Sequence, residues 1–359
     1  MTTQLMSTVA ARIAAFKGEM LSHAEPQEVI GTVCRSMKRS IPKHSSATVK
    51  YRRVLPKGAT TSTPNTWAVD PATHVTSESE TPPAETISFQ DINATLVQYA
   101  VLYRYSDLIE DLYEDDVPKE MVKLVGERMG LLREMIRYGG LKAGTNIFYS
   151  GTATARSGIT LKISNNLFRR VARSLEANLA MKMTRILEPS DAVGTRSVEA
   201  AYIVVCHTDM AADLRSQLTD FLHVSDYGSR KVIHENELGS WDQFRFVTSP
   251  HLAPYLLAGG VAAIDTVLAN GASCTGANAS DVYPMLVLAE EAYGDVMLRG
   301  MDSFNAYHRK PGGSNGMESS SDDPLGQRGF VGAKFYFTTV RLNELHMAVV
   351  ETACGSLVG

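Results

Sequence analysis

Two short stretches carry residue types that could do hydrolytic chemistry. Gly312-Gly313-Ser314-Asn315-Gly316 satisfies GxSxG, the turn that exposes a nucleophilic serine where a strand runs in and a helix runs out. Its flanks, HRKP before and MESSSDDP after, have neither periodicity, so Ser314 reads as part of a polar loop. His234-Glu235-Asn236-Glu237-Leu238 begins like HExxH. Leu238 stands where the second imidazole is required, so two histidines cannot share one zinc ion from a helix face. His207, His223 and His251 are scattered, and phosphate-cradling glycine loops are absent. Cys34, Cys206, Cys274 and Cys354 lie too far apart for a zinc knuckle or CxxC pair. The expectation is a chain with no catalytic residue, cofactor or metal.

The charges are distributed in one-signed runs. From Glu28 to Asp70 no acidic residue occurs, while Arg35, Lys38, Arg39, Lys43, Lys50, Arg52, Arg53 and Lys57 accumulate. Further on, Asp107, Glu110, Asp111, Glu114, Asp115, Asp116 and Glu120 form a dense acidic run. That run lacks the alternating ligands and glycine of a calcium loop, which leaves a solvated helix start or a partner surface. Each run repels itself unless opposite charge lies against it. Overall the charge is only −4 at 359 residues, so the whole molecule is no general nucleic-acid binder. An apolar share of 44% supports real cores. No signal-peptide core or bilayer-length apolar run is present, and the cysteine usage fits a reducing compartment such as a host cytoplasm. The sequons at Asn93 and Asn278 are chance matches in that setting.

Leu5, Val9, Ile13, Phe16 and Met20 form a stripe on a short N-terminal helix. A Thr/Ser/Pro/Gly-rich stretch, 58–86, is bracketed by strand-like segments at 47–55 and 86–105, the pattern of a long hairpin. In the return segment Ile92, Ala94 and Leu96 alternate on one parity and Tyr99, Val101, Tyr103 and Tyr105 on the other, which predicts a break near Leu96. Asp116 and Pro118 open a helix carrying Met121, Val125, Met129, Leu132 and Ile136, with Gly139-Gly140 as its stop; about 24 residues span about 36 Å. Gly126 and Gly130 within it permit either bending or a close backbone contact.

A second helix opens at Ser164, carries Leu167, Val171, Leu175 and Leu179, and is finished by Pro189. Tyr202–Cys206 is a buried strand, and Thr208 or Asp209 caps a third helix through Leu214, Leu218 and Phe221. Strands follow at 239–249 and 283–288 around a surface loop, 269–281. Lys334–Leu342 and Leu345–Thr352 read as a closing hairpin that turns at Asn343-Glu344.

This order of elements resembles the Hong Kong 97 fold of tailed-phage capsid proteins. Local motifs narrow the resemblance to the coliphage N4-type major capsid family. They are DINATLVQYAVLYRYSDLIEDL from Asp91, LKAGTNIFYSG from Leu141, ENELGSWDQFRFVTSP from Glu235, DVYPMLVLAEEAYGDVML from Asp281 and DPLGQRGFVGAKFYF from Asp323. The matches reach from about Asp91 to Thr352. The resemblance implies an α+β fold with an N-terminal arm (1–45), an extended E-loop hairpin (46–106), a peripheral domain with the spine helix (107–160 and 327–359) and an axial domain (161–326).

It also implies a non-enzymatic major capsid protein that self-assembles into hexamers and pentamers of an icosahedral shell around double-stranded DNA. Portal, scaffolding and decoration proteins would be further partners, the virion capsid its location, and the host cytoplasm its place of assembly. Some relatives of that fold weld Lys to Asn between subunits; Lys57 lies near the loop base, but no partner Asn and Glu can be assigned. The alternative is an encapsulin-like nanocompartment shell enclosing enzymes. In either shell the basic tract has three available roles: pairing with the acidic run of a neighbour, lying against packaged DNA, or simple solvation.

Overall fold

The computed structural model describes residues 28–34, 36–55, 71–76, 87–112, 116–183, 200–227, 232–262, 266–274, 278–299, 305–312 and 323–357. The N-terminal stripe Leu5–Met20, Pro189 and Ser314 lie outside them. The described chain opens with a short helix, α1 (Val29–Val33), then β1 (Arg39–Ile41) and an antiparallel pair, β2 (Thr48–Leu55) with β3 (Ser88–Thr95). The parity break falls at Leu96: its amide bonds Ala47 as the last rung of the hairpin, and β4 (Val97–Ser106) turns to a new partner.

Next come α2 (Asp107–Leu112) and the long helix α3 (Val117–Lys142), whose first turn is held by Asp116 accepting from the Lys119 amide. This is the N-cap expected of an aspartate two residues before a proline. The helix does not stop at Gly139-Gly140. Arg341 reaches across to the Gly140 carbonyl at 2.6 Å, so the final turn is satisfied by a distant side chain and runs to Lys142. Gly126 and Gly130 are both buried.

β5 (Ile147–Tyr149) precedes α4 (Asn165–Ala177). That helix ends before Leu179, which takes φ +55° and leaves the Ala180 amide to bond the Leu175 carbonyl, a left-handed terminus that normally favours glycine. The expected fourth apolar position is therefore exposed. β6 (Tyr202–His207), α5 (Met210–Gln217) and β7 (Leu222–His223) follow, with Phe221 beyond the helix. Residues 239–249 fold as two strands, β8 (Glu237–Trp241) and β9 (Phe244–Ser249), turning at Asp242. The expected surface loop 269–281 is less exposed than its composition suggests. It joins β10 (Leu268–Ala269) to β11 (Ala272–Ser273) through left-handed Asn270-Gly271, and the buried Asp281 carboxylate accepts the amides of Leu257, Asn270 and Gly271.

The chain finishes with β12 (Val282–Leu288), β13 (Tyr293–Leu298), β14 (Asn305–Arg309), β15 (Arg328–Arg341) and β16 (Met347–Ala353). The expected hairpin of the last two does not form. β15 joins a five-stranded sheet, where it pairs β4 on one side and β14 and β13 on the other, with β1 beyond β13. β16 enters a seven-stranded sheet of order β5-β16-β12-β6-β9-β8-β7. The turn at Asn343 is thus a crossing between sheets.

Both faces of the seven-stranded sheet are covered, which explains its unbroken apolar strands. On one face Phe168, Val171 and Leu175 of α4 pack with Met210 and Leu214 of α5 against Val204, Phe244, Phe246, Met285 and Val350. On the other, Tyr138 and Leu141 of α3 and Val29, Ile30 and Val33 of α1 meet Val205, Val247, Leu286 and Val349. The other end of α3 lays Val122, Val125 and Met129 on Tyr105, Val331, Ala333, Phe335 and Phe337 of the five-stranded sheet. α3 is therefore the beam that joins the two sheets.

Candidate functional site

Of the two hydrolytic motifs, Ser314 lies outside the described residues and the histidine motif is not helical. His234–Leu238 is a turn entering β8, where His234 Nδ1 accepts the Asn236 amide, not a helix face. Among the described residues no group of three or more His, Cys, Asp or Glu side chains is placed to hold a metal. All four cysteines are buried, and burial pushes the Cys206 thiol up to about 12. No helix among the described residues is long and apolar enough to cross a membrane.

The one-signed charge runs remain, and the hairpin sorts the basic one by strand parity. Thr48, Lys50, Arg52 and Val54 face outward on β2, opposite Thr95, Asn93, Asp91 and Phe89. Arg52 donates through Nε and Nη2 to the two Asp91 oxygens at 2.8 and 3.0 Å, with Lys50 Nζ at 4.0 Å. This forked bond lowers the Asp91 pKa and raises that of Arg52. Asp91 falls outside the acidic run that the sequence singles out; register alone reveals it, since it stands directly opposite Arg52.

Arg53 points inward and is half-buried, and burial lowers its pKa. Arg39, on β1, donates to the Lys50 carbonyl at 3.1 Å and lies 4.6 Å over the Tyr51 ring. Lys38 and Lys43 are exposed, and Arg35 and Lys57 lie outside the described residues. Tyr51, Ile41, Ala94 and Val296 anchor the base of the hairpin. Beyond it, the outward face ends in exposed Val54 and Phe89, with Ile87 beside them.

The acidic run is partly engaged within the chain. Asp107 accepts the Leu108 amide, Glu110 pairs with Lys310 at 2.7 Å, Asp116 caps α3, and Glu120 pairs with Lys123 at 2.8 Å. Asp111 is exposed on α2; Glu114 and Asp115 lie outside the described residues. Among the described residues the two runs do not meet in one chain. β4 separates them: the hairpin ends at Leu96 and the acidic run starts at Asp107, ten strand residues or about 33 Å apart.

A buried ion cluster fixes the start of the described chain on α3. Glu28 accepts from Arg133 at 3.0 Å and from Arg137 at 2.7 Å; Asp295 accepts from Arg137, from Thr339 at 2.8 Å and from Ser36 at 3.2 Å. Glu134 Oε1 takes the Ile30 amide at 2.8 Å. Burial pushes the Glu134 carboxyl up to about 7 against the opposing pull of that amide and of Arg137. Gly31 belongs here by necessity, because a Cβ would lie 2.2 Å from the Arg137 guanidinium. Such groups hold structure and present nothing to a substrate.

No family model matches the chain. Over 248 residues, 66% of the chain, it is 25% identical to the major capsid protein of Pseudomonas phage KPP21. The chain spans about three fifths of that relative's length (59%). Among solved structures it is similar to the capsid of Ralstonia phage GP4, at TM-score 0.60 and 11% identity over 90% of this chain and 88% of that one. The head structure of Helicobacter pylori bacteriophage KHP40 follows at TM-score 0.55 and 11% identity, covering 91% of each chain. The cyanophage Pam1 capsid matches at TM-score 0.53 and 11% identity over 90% and 93%. The chain has the mixed α+β fold of phage capsid subunits.

Proposed function

We propose that this chain is the major capsid protein of a tailed bacteriophage, a non-catalytic subunit of the virion shell. The observation that carries the reading is agreement between two kinds of likeness. A capsid protein is related in sequence across two thirds of the chain, and capsid subunits share its fold across nine tenths. The finer reading is a Hong Kong 97 subunit of N4 type, with arm (1–45), E-loop hairpin (46–106), peripheral domain (107–160 and 327–359) and axial domain (161–326). It forms hexamers and pentamers in the host cytoplasm, works with portal, scaffolding and decoration proteins, and encloses double-stranded DNA through non-specific contacts. Shell subunits act through repeated modest contacts that become collectively permanent. The basic tract (Arg35, Lys38, Arg39, Lys43, Arg52, Arg53, Lys57) facing a neighbour's acidic run (Asp107, Glu110, Asp111, Glu114, Asp115, Asp116) supplies one such contact.

Expression of the full chain followed by size-exclusion chromatography and electron microscopy tests this. Megadalton icosahedral particles are expected, and a monomeric chain under all assembly conditions overturns the proposal. Nucleic acid inside native particles separates a phage shell from a nanocompartment, and the phage identity of the similar structures favours the former.

A further inference from the structure

Among the described residues, α3 covers one face of the five-stranded sheet, and the hairpin base covers one corner of the other at Val296 and Val340. Strand alternation turns Tyr103, Tyr105, Val331 and Ala306 toward α3. Their neighbours share the opposite face, and the register sets these side by side. Arg104, Phe330 and Arg309 form one row across three strands; Leu102, Gly332 and Tyr307 form the next, with Lys334 beyond them. No Asp or Glu of β4, β14 or β15 has that parity. Arg104, Arg309 and Lys334 form no ion pair among the described residues. Lys334 Nζ lies 5.1 Å over the Tyr307 ring, and the buried Arg309 Nε meets no acceptor there. Leu102 is 53% exposed and Tyr307 41%. Unpaired cations beside exposed apolar groups suit a partner that is acidic and apolar together.

The short helix α2 is such a surface. Asp111 is exposed on it, and Leu108, three residues earlier and so on the same side of the helix, is 66% exposed. In its own chain α2 lies against α3, on the covered side of the sheet, and is tied there by Glu110 to Lys310. We propose that the open sheet face of one copy receives α2 of a second copy, with Asp111 set on Arg104 and Arg309 and Leu108 set on Leu102 and Tyr307. The inference rests on the shell-subunit reading. It takes Asp111 from the acidic run for this contact, and the pairing of the remaining acids with a hairpin's basic tract is separate. Arg104 stands three residues before Asp107, so face and helix adjoin on every copy. Two copies related by a two-fold axis then satisfy both halves at once, the isologous arrangement. Double-stranded nucleic acid fits less well, because its phosphates would meet the cations and leave Leu102 and Tyr307 without apolar cover.

The test uses the full chain with Arg104→Glu, with Asp111→Lys, and with the two combined. The particle fraction is read by size-exclusion chromatography and electron microscopy, and the fold of unassembled subunits by thermal unfolding. Each single variant sets like charges against each other and is expected to lower the particle fraction by about tenfold or more at fixed concentration, with subunits melting as the parent does. The combined variant is expected to recover particles. A separate chain carrying Leu102→Cys and Leu108→Cys reads the geometry, by mild oxidation of particles and denaturing electrophoresis. The strand from Leu102 to Ser106 is about 13 Å long, which keeps these two positions out of disulfide reach within one chain, and the native cysteines are buried. Disulfide-linked dimers are expected. A ladder of larger linked species overturns the two-fold arrangement, and particles with no linked species overturn the contact. An unsubstituted chain that never assembles overturns the shell reading and the contact with it. A chain that assembles while both charge variants assemble equally well overturns the contact alone. Normal particles with less nucleic acid also overturn it, giving the face to the packaged genome, and failure of the combined variant to recover particles overturns the pairing of Arg104 with Asp111.

Discussion

The Arg137 guanidinium donates from Nε to Asp295 Oδ2 at 3.1 Å, with the two side chains 3% and 0% exposed, and so ties α3 to β13. Burial pulls the Arg137 pKa down; the charges of Asp295 and Glu28 more than reverse that. Removing one partner of a buried ion pair costs about 3–5 kcal/mol, and because Arg137 keeps Glu28 at 2.7 Å the lower end, about 3 kcal/mol, applies here. Asp295→Ala is expected to destabilise the unassembled subunit by that amount in urea unfolding. A loss below about 1 kcal/mol would mean that the cluster is far better hydrated than its burial implies.

Glu134 makes stability depend on pH in the opposite sense to an ordinary surface carboxylate. Its folded pKa of about 7 lies above the unfolded value of 4.5, so between these limits the folded state binds more protons than the unfolded one. Its contribution is fully present below pH 4.5 and is lost as pH rises through 7, with a slope of up to about 1.4 kcal/mol per pH unit. Glu134→Gln keeps an acceptor for the Ile30 amide and removes the titration. Denaturant midpoints measured from pH 4.5 to 8 should flatten in the variant relative to the parent.

The sequence shows local order well and partnership poorly. The parity switch at Leu96 locates the hairpin's end, because alternation is a property of one strand. The pairing of β15 with β4 spans more than two hundred residues, and nothing in the alternation of Lys334–Leu342 selects β4 over the nearby β16. That is why a local hairpin reads well and does not form. The buried ion cluster left a visible trace. Val125, Met129, Arg133 and Arg137 follow one another at spacings of four on α3, so two arginines continue the core stripe, and charge on a core stripe implies buried partners. Asp91 required the register. The alignment of Arg104, Phe330 and Arg309 on one sheet face required the tertiary fold, since they come from β4, β15 and β14.

The four thiols should be chemically silent in the folded chain. Each is buried, and burial raises the Cys206 pKa to about 12 and lifts that of Cys354 as well, which removes the reactive thiolate at neutral pH. An aromatic disulfide reagent at pH 8 is expected to titrate no thiol in native subunits and four after denaturation. Rapid reaction of native Cys206 or Cys354 would contradict the packing around β6 or the end of β16.

Amide exchange should separate what folding protects from what assembly protects. β12 is buried along its whole length and lies between β16 and β6, so its amides open only with the global fold. The β2–β3 pair is two-stranded and extends its outward face to exposed Val54 and Phe89, and among the described residues its core contacts gather around Tyr51 and Ala94; a pair of that kind is marginal alone. In unassembled subunits the amides of Arg52–Leu55 and Ser88–Asp91 are expected to exchange well before those of Val282–Leu288. In particles the hairpin amides should slow while β12 stays unchanged, because only the hairpin gains a covering neighbour. Equal hairpin exchange in subunits and particles would show that assembly leaves this arm in solvent, and would remove it from the contacts that hold a shell together.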